Sequence, residues 1–439
     1  MVINTKCAGF YMSYLRVVGK NSLQGDLKVQ GSKNSCLPML AASMLANDQV
    51  VINNCPHISD VEDMLEVLKI MGCKWTFEGD RLVLWGKDIE YGSLPMICRK
   101  IRGSMSFMGA MLSRFGKVKI PWPGGCDLGY RPIDYHINGL KTMGVSLRFS
   151  KEYIEAQVEH KKISGYYCFP KPSLGALENL ILRAVSLEGE FVFENCTKEP
   201  EIVDFCDFLN DMGACIEGAG TDKVVVIGGK TLTGCEYTLP GDRIVAGTYM
   251  ASVSVANGNV LLKGINALRL GTEIDYLRKI GCHVFTDSRS NEIIIIGGGR
   301  KKSYPCIFTG AYPGFSTDLQ PQMLAAACYY RGTTFIKDEI YPLRFNVTGE
   351  LLKMGADIIM DRGVAMVSGK EQLMGAQLVA SDLRAGAALV VAALGADGKS
   401  CIYGTEHILR GYEDIQRDLK KLGADIEWIE DEERRKAQD

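Results

Sequence analysis

Residues 137–158, I-N-G-L-K-T-M-G-V-S-L-R-F-S-K-E-Y-I-E-A-Q-V, decide the fold because the chain repeats their pattern six times. An amphipathic helix ends in Leu-x-x-hydrophobic-Gly, and two short strands follow in which apolar and polar residues alternate. Glycine suits the left-handed conformation that closes a helix before a strand. The pattern recurs about every 70 residues, which is typical of a repeat architecture. Its closing glycines are Gly72, Gly144, Gly213, Gly281, Gly355 and Gly423.

A second pattern lies between these repeats. Before each amphipathic helix there is a strand led by Gly or Asp, and before each of those strands there is a helix that is apolar nearly all round. A helix without a polar face must be buried on all sides. We therefore predict six units of about 70 residues, each with a core helix, a surface helix and a small sheet, in two domains of three units. The apolar segments are residues 37–46, 106–115, 177–187, 246–256, 320–330 and 386–396.

The composition is that of an ordinary globular protein, with 46% hydrophobic and 23% charged residues in a chain of 439. A formal net charge of -2 gives no global attraction to nucleic acid or to an anionic membrane. The longest apolar runs are far shorter than a bilayer span, and residues 1–11 lack the apolar core of a signal peptide. We therefore expect a cytoplasmic protein that binds neither nucleic acid nor a membrane.

The cysteines indicate a reducing compartment rather than a disulfide framework. There are 15 of them, an odd number, and none forms a Cys-x-x-Cys pair. Many lie within apolar patterns, where a reduced thiol acts as a small hydrophobic group. The five histidines are not spaced as metal ligands, so we expect no metal site.

The starts of the six apolar helices carry charged residues. Lysine and arginine are disfavoured at the positive end of a helix dipole, so cations at these positions indicate a function. Helix N-termini together with Lys and Arg form a site for an anion-rich small ligand. The acidic residues Asp242, Asp318 and Asp382 have an alternative interpretation as ordinary helix caps, which the sequence leaves open. The charged helix starts are Lys33–Asn34, Arg102, Lys171–Ser173, Asp242–Arg243, Ser316–Asp318 and Asp382–Arg384.

Cys126 differs from the other cysteines in its surroundings. It lies in the stretch P-W-P-G-G-C-D-L-G-Y-R, residues 121–131, in which glycines and prolines predict a loop. Arg131 follows five residues later. A cysteine on a Gly-rich loop near a cation is not explained as core filler, so we predict a reactive thiol.

At these residues the sequence resembles the enolpyruvyl transferase family. The P-G-G-C-x4-R-P-x-D-x-H stretch, residues 123–136, is specific, because the shikimate-pathway members have no equivalent cysteine loop. The similarity extends from about residue 14 to residue 430. It implies an α/β fold, a two-domain inside-out α/β barrel of six βαβαββ-like repeats. The implied domains are residues 32–240, with the Cys126 loop, and residues 1–31 with 241–439, with the active-site cleft between them. Further matching stretches are residues 31–38, 199–204, 317–323, 382–390 and 407–413.

The resemblance also implies an activity. The enzyme would transfer the carboxyvinyl group of phosphoenolpyruvate to the 3'-hydroxyl of UDP-N-acetylglucosamine and release phosphate, the first committed step of peptidoglycan synthesis, without a cofactor. Two alternatives remain. A shikimate-type transferase is disfavoured by the Cys126 loop, and a non-catalytic paralogue that binds a UDP-sugar is disfavoured by the complete set of charged residues.

The family's site residues carry over to matching positions of this chain. Cys126 would be the general acid, able to form a thioether with phosphoenolpyruvate, and Asp318 would be the base for the sugar hydroxyl. Lys33 and Asn34 would hold phosphoenolpyruvate, with Arg131 and Arg410 on its phosphate. The nucleotide-sugar site would comprise Arg102, Arg131, Pro132, Ile133, Asp134, Tyr135, Lys171, Pro172, Ser173, Leu174, Asp318 and Ile340, and the remaining charged residues would be Arg344, Asp382 and Arg384.

Overall fold

The repeat motif folds as its sequence predicts. The helix Asp134–Thr142 ends just before Gly144, and the strands Val145–Phe149 and Tyr153–Val158 pair antiparallel behind it. The φ of Gly144 is 78°, and all six closing glycines have a positive φ. The left-handed conformation that the pattern requires is therefore present in every repeat.

The computed structural model describes residues 13–124, 132–160, 162–287, 289–341 and 344–430. The chain divides into two compact units. The central unit is residues 31–240, and the terminal unit is residues 1–30 together with 241–439.

The α-helices of the described residues, in chain order, are α1 Lys33–Ala42, α2 Ser59–Ile70, α3 Ser106–Phe115, α4 Asp134–Thr142, α5 Leu174–Ala184, α6 Pro200–Asp211, α7 Arg243–Ala256, α8 Gly271–Lys279, α9 Gln320–Ala327, α10 Val347–Lys353, α11 Leu383–Gly395 and α12 Ile415–Lys421. Short 3-10 helices are Ser43–Leu45, Met96–Lys100, Arg102–Met105, Ala267–Leu270, Thr317–Leu319 and Thr405–Arg410.

The strands are β1 Ser13–Val18, β2 Leu23–Lys28, β3 Gln49–Asn53, β4 Lys74–Glu78, β5 Arg81–Trp85, β6 Lys117–Pro121, β7 Val145–Phe149, β8 Tyr153–Val158, β9 Ser164–Cys168, β10 Gly189–Glu194, β11 Ile216–Glu217, β12 Lys223–Gly228, β13 Glu236–Thr238, β14 Gly258–Lys263, β15 His283–Asp287, β16 Glu292–Gly297, β17 Cys306–Phe308, β18 Gly332–Lys337, β19 Asp357–Asp361, β20 Val364–Gly369, β21 Gln377–Val379, β22 Lys399–Tyr403 and β23 Asp425–Glu430.

The strands form six small sheets, three in each unit. The central unit has the orders β13-β3-β5-β4, β6-β8-β7 and β11-β12-β10-β9, and the terminal unit has β15-β16-β14-β2, β17-β18-β20-β19 and β21-β22-β1-β23. In each four-stranded sheet a parallel edge strand pairs with the strand after a core helix, and two antiparallel strands complete the sheet. The α/β fold with six repeats is therefore confirmed, with mixed sheets. None of these sheets closes on itself within the described residues.

The predicted core helices are the buried ones. Helices α1, α3 and α5 pack in the central unit, and α7, α9 and α11 pack in the terminal unit. Helices α3 and α5 pack closely at Gly109, where a Cβ atom would lie 2.2 Å from the carbonyl oxygen of Asn179. The amide of Gly109 donates to the Asn179 Oδ1 at 2.6 Å.

Several core helices begin earlier than their apolar segments. Helices α1, α5, α7 and α11 start at residues 33, 174, 243 and 383, three or four residues before the apolar runs. The side chains of Ser32, Asp242 and Asp382 accept hydrogen bonds from backbone amides of the first turn, which extends the helix over the polar residues. The charged residues noted in the sequence thus lie in, or next to, the first helical turns.

Within the described ranges, no helix combines the length and the hydropathy needed to cross a membrane. The same residues contain no group of three or more His, Cys, Asp or Glu side chains placed to hold a metal ion.

Candidate functional site

In the terminal unit, Asp318 joins two buried arginines at the start of α9. Its Oδ1 accepts a hydrogen bond from Arg344 Nη1 at 2.6 Å, and its Oδ2 accepts one from Arg384 Nη2 at 2.6 Å. The arginine side chains are 5% and 9% exposed, whereas the Asp318 side chain is 22% exposed. Ser316, not Asp318, caps the helical turn, because the Ser316 hydroxyl accepts the Asp318 amide. Asp318 is therefore the ion-pair partner of both arginines, and part of its side chain remains accessible to solvent.

The two guanidinium groups control the charge of Asp318. Burial acts to raise the pKa of this carboxyl, but Arg384 and Arg344 outweigh it and hold the pKa well below its usual range. Burial acts in turn to lower the pKa of Arg384, and Asp318 outweighs it, with Tyr412 and Asp242 adding to the rise. All three groups are charged at neutral pH, so the cluster carries one net positive charge.

A second carboxylate, Asp338, organises the residues around this cluster. Its Oδ2 accepts from the Thr317 hydroxyl at 2.6 Å, and Thr317 in turn accepts from Arg344 Nη1 at 3.1 Å. Its Oδ1 accepts the backbone amides of Ile340 and Tyr341, which fixes the turn that carries the predicted residue Ile340. Sequence reasoning missed Asp338. The signal available was an Asp two residues before Ile340, the spacing of an Asx turn.

Asp242 and Asp382 act as helix caps. Asp242 Oδ1 accepts the amides of Ile244 and Val245, and Asp382 Oδ1 accepts those of Arg384 and Ala385. Helix capping, the alternative interpretation that the sequence left open, thus accounts for the positions of these two carboxylates. By holding the first turn of α11, Asp382 also positions Arg384 for its ion pair with Asp318.

In the central unit, Lys33 begins α1 and forms an ion pair with Asp60 of α2. Lys33 is 8% exposed, and its partner is 3% exposed. The neighbouring Ser35 hydroxyl donates to Asp204 Oδ2 at 2.7 Å, so the first turn of α1 is tied to α6. Asn34 is half-buried beside Lys33. Sequence reasoning missed Asp60, which lies in an amphipathic helix without a distinctive motif.

The segment before α4 contacts the Arg102 helix start. Arg102 Nη2 donates to the carbonyl oxygen of Pro132 at 3.3 Å. His136 on α4 is buried, and its Nδ1 lies 3.1 Å from the Asn179 amide nitrogen of α5. Burial, with the nearby Arg102 charge, lowers the pKa of His136 to about 3, so this imidazole is neutral. These contacts bring residues 102, 132–136 and the first turns of α5 together.

Glu178 on α5 is a buried acid that sequence reasoning did not identify. Burial raises the pKa of its carboxyl to about 8, and Glu201 and Glu199 add to the rise. Within the described residues, its Oε1 is buried without a hydrogen-bond partner. Its position among apolar residues of a core helix gave no sequence signal of a function.

The structure also describes Lys171, Pro172, Ser173 and Arg410 among the predicted residues. Lys171 and Pro172 are exposed, and Ser173 precedes α5 without making a side-chain cap. Arg410 is half-buried at the end of a 3-10 helix. Cys126 and Arg131 lie outside the described residues.

The described cysteines are free thiols, and burial makes several of them poor nucleophiles. A buried thiol in apolar surroundings resists ionisation and is chemically inert. Burial raises the pKa of Cys73, Cys98, Cys196, Cys206, Cys235, Cys282 and Cys328.

The arrangement in each unit suits an anionic ligand. The terminal unit presents an aspartate clamped by two arginines, and the central unit presents Lys33 and Arg102 at helix starts. Oriented backbone amides and guanidinium groups bind phosphate and carboxylate.

The chain is similar over most of its length to a protein-family model and to proteins of known activity. Residues 17–431 match the family model described as EPSP synthase (3-phosphoshikimate 1-carboxyvinyltransferase). The chain is 42% identical over 418 residues to UDP-N-acetylglucosamine 1-carboxyvinyltransferase 2 of Caldanaerobacter subterraneus, covering 94% of this chain and 99% of that protein. It is 39% identical over 423 residues to UDP-N-acetylglucosamine 1-carboxyvinyltransferase of Thermotoga petrophila, covering 96% of this chain and 100% of that protein.

Solved structures show the same fold. The enolpyruvyl transferase NikO from Streptomyces tendae superposes with a TM-score of 0.85 at 24% identity, covering 95% of this chain and 98% of that one. EPSP synthase from Acinetobacter baumannii superposes with a TM-score of 0.74 at 18% identity, covering 95% of this chain and 100% of that one. At these identities the likeness concerns the fold alone.

Proposed function

This chain belongs to the EPSP synthase (3-phosphoshikimate 1-carboxyvinyltransferase) family, and on that premise we propose that it transfers the carboxyvinyl group of phosphoenolpyruvate to the 3'-hydroxyl of UDP-N-acetylglucosamine. One observation carries the choice of acceptor. Relatives that are 42% and 39% identical over at least 94% of the chain are named for UDP-N-acetylglucosamine, whereas the likeness to EPSP synthase structures is 18% identity. We propose that the product is a precursor of peptidoglycan and that the reaction takes place in the cytoplasm.

The chemistry requires an acid, a base and cations. Protonation of phosphoenolpyruvate at C3 makes C2 electrophilic, and the sugar oxygen bonds to C2 as a base removes its proton. The tetrahedral intermediate then loses a proton from C3 and expels phosphate, which restores the vinyl group on the sugar oxygen. We assign the acid to Cys126, because an unperturbed thiol is mostly protonated at neutral pH. Cations near the thiol would favour reversible thioether formation with C2.

Asp318 is the proposed base, and its arginine partners explain how its basicity is controlled. With Arg344 and Arg384 both paired to it, the carboxylate has a low affinity for protons. An anionic substrate group that binds either guanidinium would weaken that pairing and raise the pKa of Asp318. The base would therefore gain strength only when substrate is bound.

The cations of the central unit are proposed to bind phosphoenolpyruvate. Lys33 is already held by Asp60, so its ammonium group has a fixed position before substrate arrives. Asn34 and Arg131, together with Arg410 of the terminal unit, would complete the contacts with the phosphate and the carboxylate. The nucleotide sugar would contact Arg102, residues 132–135, Lys171–Leu174 and Ile340.

The decisive experiment measures phosphate released from phosphoenolpyruvate by the purified chain, with UDP-N-acetylglucosamine, with shikimate 3-phosphate, or with neither. We expect release only with UDP-N-acetylglucosamine, and mass spectrometry should find the product heavier by one carboxyvinyl group. Phosphate release with shikimate 3-phosphate and not with UDP-N-acetylglucosamine would show that shikimate 3-phosphate is the acceptor. Binding of the UDP-sugar without any release would identify a non-catalytic paralogue.

The two units are proposed to act on the same substrates. Lys33→Ala in the central unit and Arg384→Ala in the terminal unit should each weaken phosphoenolpyruvate binding at least 10-fold. Arg148→Ala, an exposed residue of β7, serves as the control. An Arg384→Ala protein that remains folded and binds phosphoenolpyruvate like wild type would show that Arg384 does not contribute to the substrate site.

A further inference from the structure

The central unit contains a cavity where its three core helices end. The cavity has a volume of about 280 Å³. Met44 and Leu45 continue α1, Ser113 and Arg114 belong to the last turn of α3, and Ser186 follows α5. Lys230 and Thr231, on the segment after β12, form another part of the wall.

This cavity is separate from the proposed substrate residues. Those residues lie at the starts of α1, α3 and α5, and the cavity lies at the opposite ends. Helices of 10 or 11 residues span about 15 Å at 1.5 Å per residue. A ligand here would therefore not contact the substrate site.

The cavity wall is cationic and hydroxylic. Arg114 donates to the carbonyl oxygens of Met44, Lys87 and Ile89, with the last two at 3.0 and 3.3 Å. Behind Ser186, the buried Arg183 donates to Leu112 O and to Ser186 Oγ, both at 3.2 Å.

Carboxylates do not balance these cations. Among the described residues, neither Arg114, Arg183 nor Lys230 forms an ion pair, and no carboxylate lines the cavity. Arg183 is 4% exposed, and its Nε–H has no hydrogen-bond partner there. The neighbouring residues Asp48 and Glu188 are exposed and do not line the cavity.

A charge count shows that helix ends do not neutralise the cluster. The C-terminal end of a helix is equivalent to about half a negative charge, so three ends supply about -1.5. Arg114, Arg183 and Lys230 supply three positive charges. An excess of positive charge remains, and Lys230 has the exposed position at which a ligand could use it.

In the terminal unit, the polar groups near the C-terminal ends of the core helices have different partners. Lys301 Nζ donates to Asn257 Oδ1 and to the carbonyls of Gly298 and Gly299, at 3.4, 2.9 and 2.9 Å. Lys20 forms an ion pair with Asp397 at 3.2 Å, and the Tyr329 hydroxyl donates to a carbonyl of α11. At this end of the terminal unit a cation is thus paired with a carboxylate, whereas Arg114, Arg183 and Lys230 have no carboxylate partner within the described residues.

We infer that the cavity of the central unit binds a small phosphate monoester, with the phosphate against Lys230 and Arg114 and the rest of the molecule against the Ser113, Ser186 and Thr231 hydroxyls. A phosphate dianion matches the excess positive charge, and a phosphate held by cations and hydroxyls forms charge-assisted hydrogen bonds. The volume admits more than the phosphate group alone, which favours an organic ester over the free ion.

Glycerol 3-phosphate and inorganic phosphate are the probes, titrated into the full-length wild-type chain and into Lys230→Glu. Lys223→Glu, an exposed charge reversal on β12 away from the cavity wall, is the matched control. Hydrogen exchange of residues 183–188 and 228–232 reports binding locally, so occupation of the substrate site does not interfere. Glycerol 3-phosphate should slow this exchange in wild type and in Lys223→Glu, with the half-saturating concentration at least 10-fold higher in Lys230→Glu.

Three results would overturn the inference. Exchange that is unaffected by either probe in wild type would mean that the cavity binds no phosphate. Equal half-saturating concentrations of glycerol 3-phosphate in Lys230→Glu and wild type would show that Lys230 does not contribute to binding. Equal affinity for inorganic phosphate and glycerol 3-phosphate would show that the organic part is not recognised.

Discussion

Asp318 accepts hydrogen bonds from two arginines, so its carboxylate is a weak proton acceptor. The partners are 26 and 66 residues away along the chain. The chemistry of this residue thus depends on distant side chains, and its role can be tested by removing charge without changing shape.

Asp318→Asn should reduce the rate of phosphate release by about 100-fold or more, the scale of losing a general base. It should also lower stability, since a charged partner of two buried guanidinium groups is lost, and such losses cost about 3–5 kcal/mol. Turnover is measured at a temperature where circular dichroism shows the variant folded. A folded Asn variant that turns over within a few-fold of wild type would leave Asp318 with a structural role only.

Cys126 is predicted to react selectively among the 15 cysteines. An epoxide phosphonate that mimics phosphoenolpyruvate should alkylate this thiol, faster when UDP-N-acetylglucosamine is bound. Cys126→Ser should lose most activity because a hydroxyl is a much weaker acid, whereas Cys126→Asp should retain activity and escape the epoxide. Peptide mass mapping after treatment reports the labelled site. Labelling spread over several cysteines, or a fully active Ser variant, would contradict the assignment.

At the scale of elements, the contact between α3 and α5 depends on one glycine. A Cβ at Gly109 would meet the backbone oxygen of Asn179 at 2.2 Å, which a side-chain rotation cannot relieve. Gly109→Ala should lower the free energy of unfolding by about 1–3 kcal/mol, the usual cost of overpacking. Urea denaturation measures the change. Gly92→Ala, where a Cβ would have no neighbour within 4 Å, should stay within about 0.5 kcal/mol of wild type.

Helix α5 also carries a group that should make stability depend on pH. Because the pKa of Glu178 is raised to about 8 in the folded state, the folded protein holds a proton that the unfolded chain releases above its ordinary pKa. The stability contributed by this group is therefore greatest below pH 4.5 and falls as the pH rises to about 8, in total by about 5 kcal/mol.

Glu178→Gln should flatten the fall in stability between pH 5 and 8 and should be more stable than wild type at pH 8. Urea unfolding at several pH values measures the slope. Glu190→Gln, an exposed change on β10, should leave the slope as in wild type. An identical slope in Glu178→Gln and wild type would show that Glu178 is ionised in the folded protein.

At the scale of the whole molecule, the N-terminal strands belong to the terminal unit. Strand β1 lies between β22 and β23, where it supplies the strand that the sixth repeat lacks, and β2 pairs with β14. Leu15, fully buried on β1, is opposite Ile402 and Trp428. The last repeat is therefore completed by the start of the chain.

Leu15→Ala should lower stability by about 2–5 kcal/mol and should speed hydrogen exchange in β22, β23 and α11. Exchange in α1, α3 and α5 should change less, because those helices belong to the central unit. Arg16→Ala, on the exposed face of the same strand, removes surface ion pairs and should cost about 1 kcal/mol or less. Faster hydrogen exchange confined to the central unit would contradict the assignment of β1 to the terminal unit.

The sequence alone determined the number of repeats, the six buried helices and the closing glycines, because these follow from local periodicity and backbone preference. It also indicated the charged helix starts, since cations at those positions have no local explanation. Tertiary structure alone decided the partners: Asp60 for Lys33, two arginines for Asp318, and β1 for the sixth sheet. Such contacts join residues that are distant in the chain, and no pattern within one helix or strand specifies which side chains meet in space.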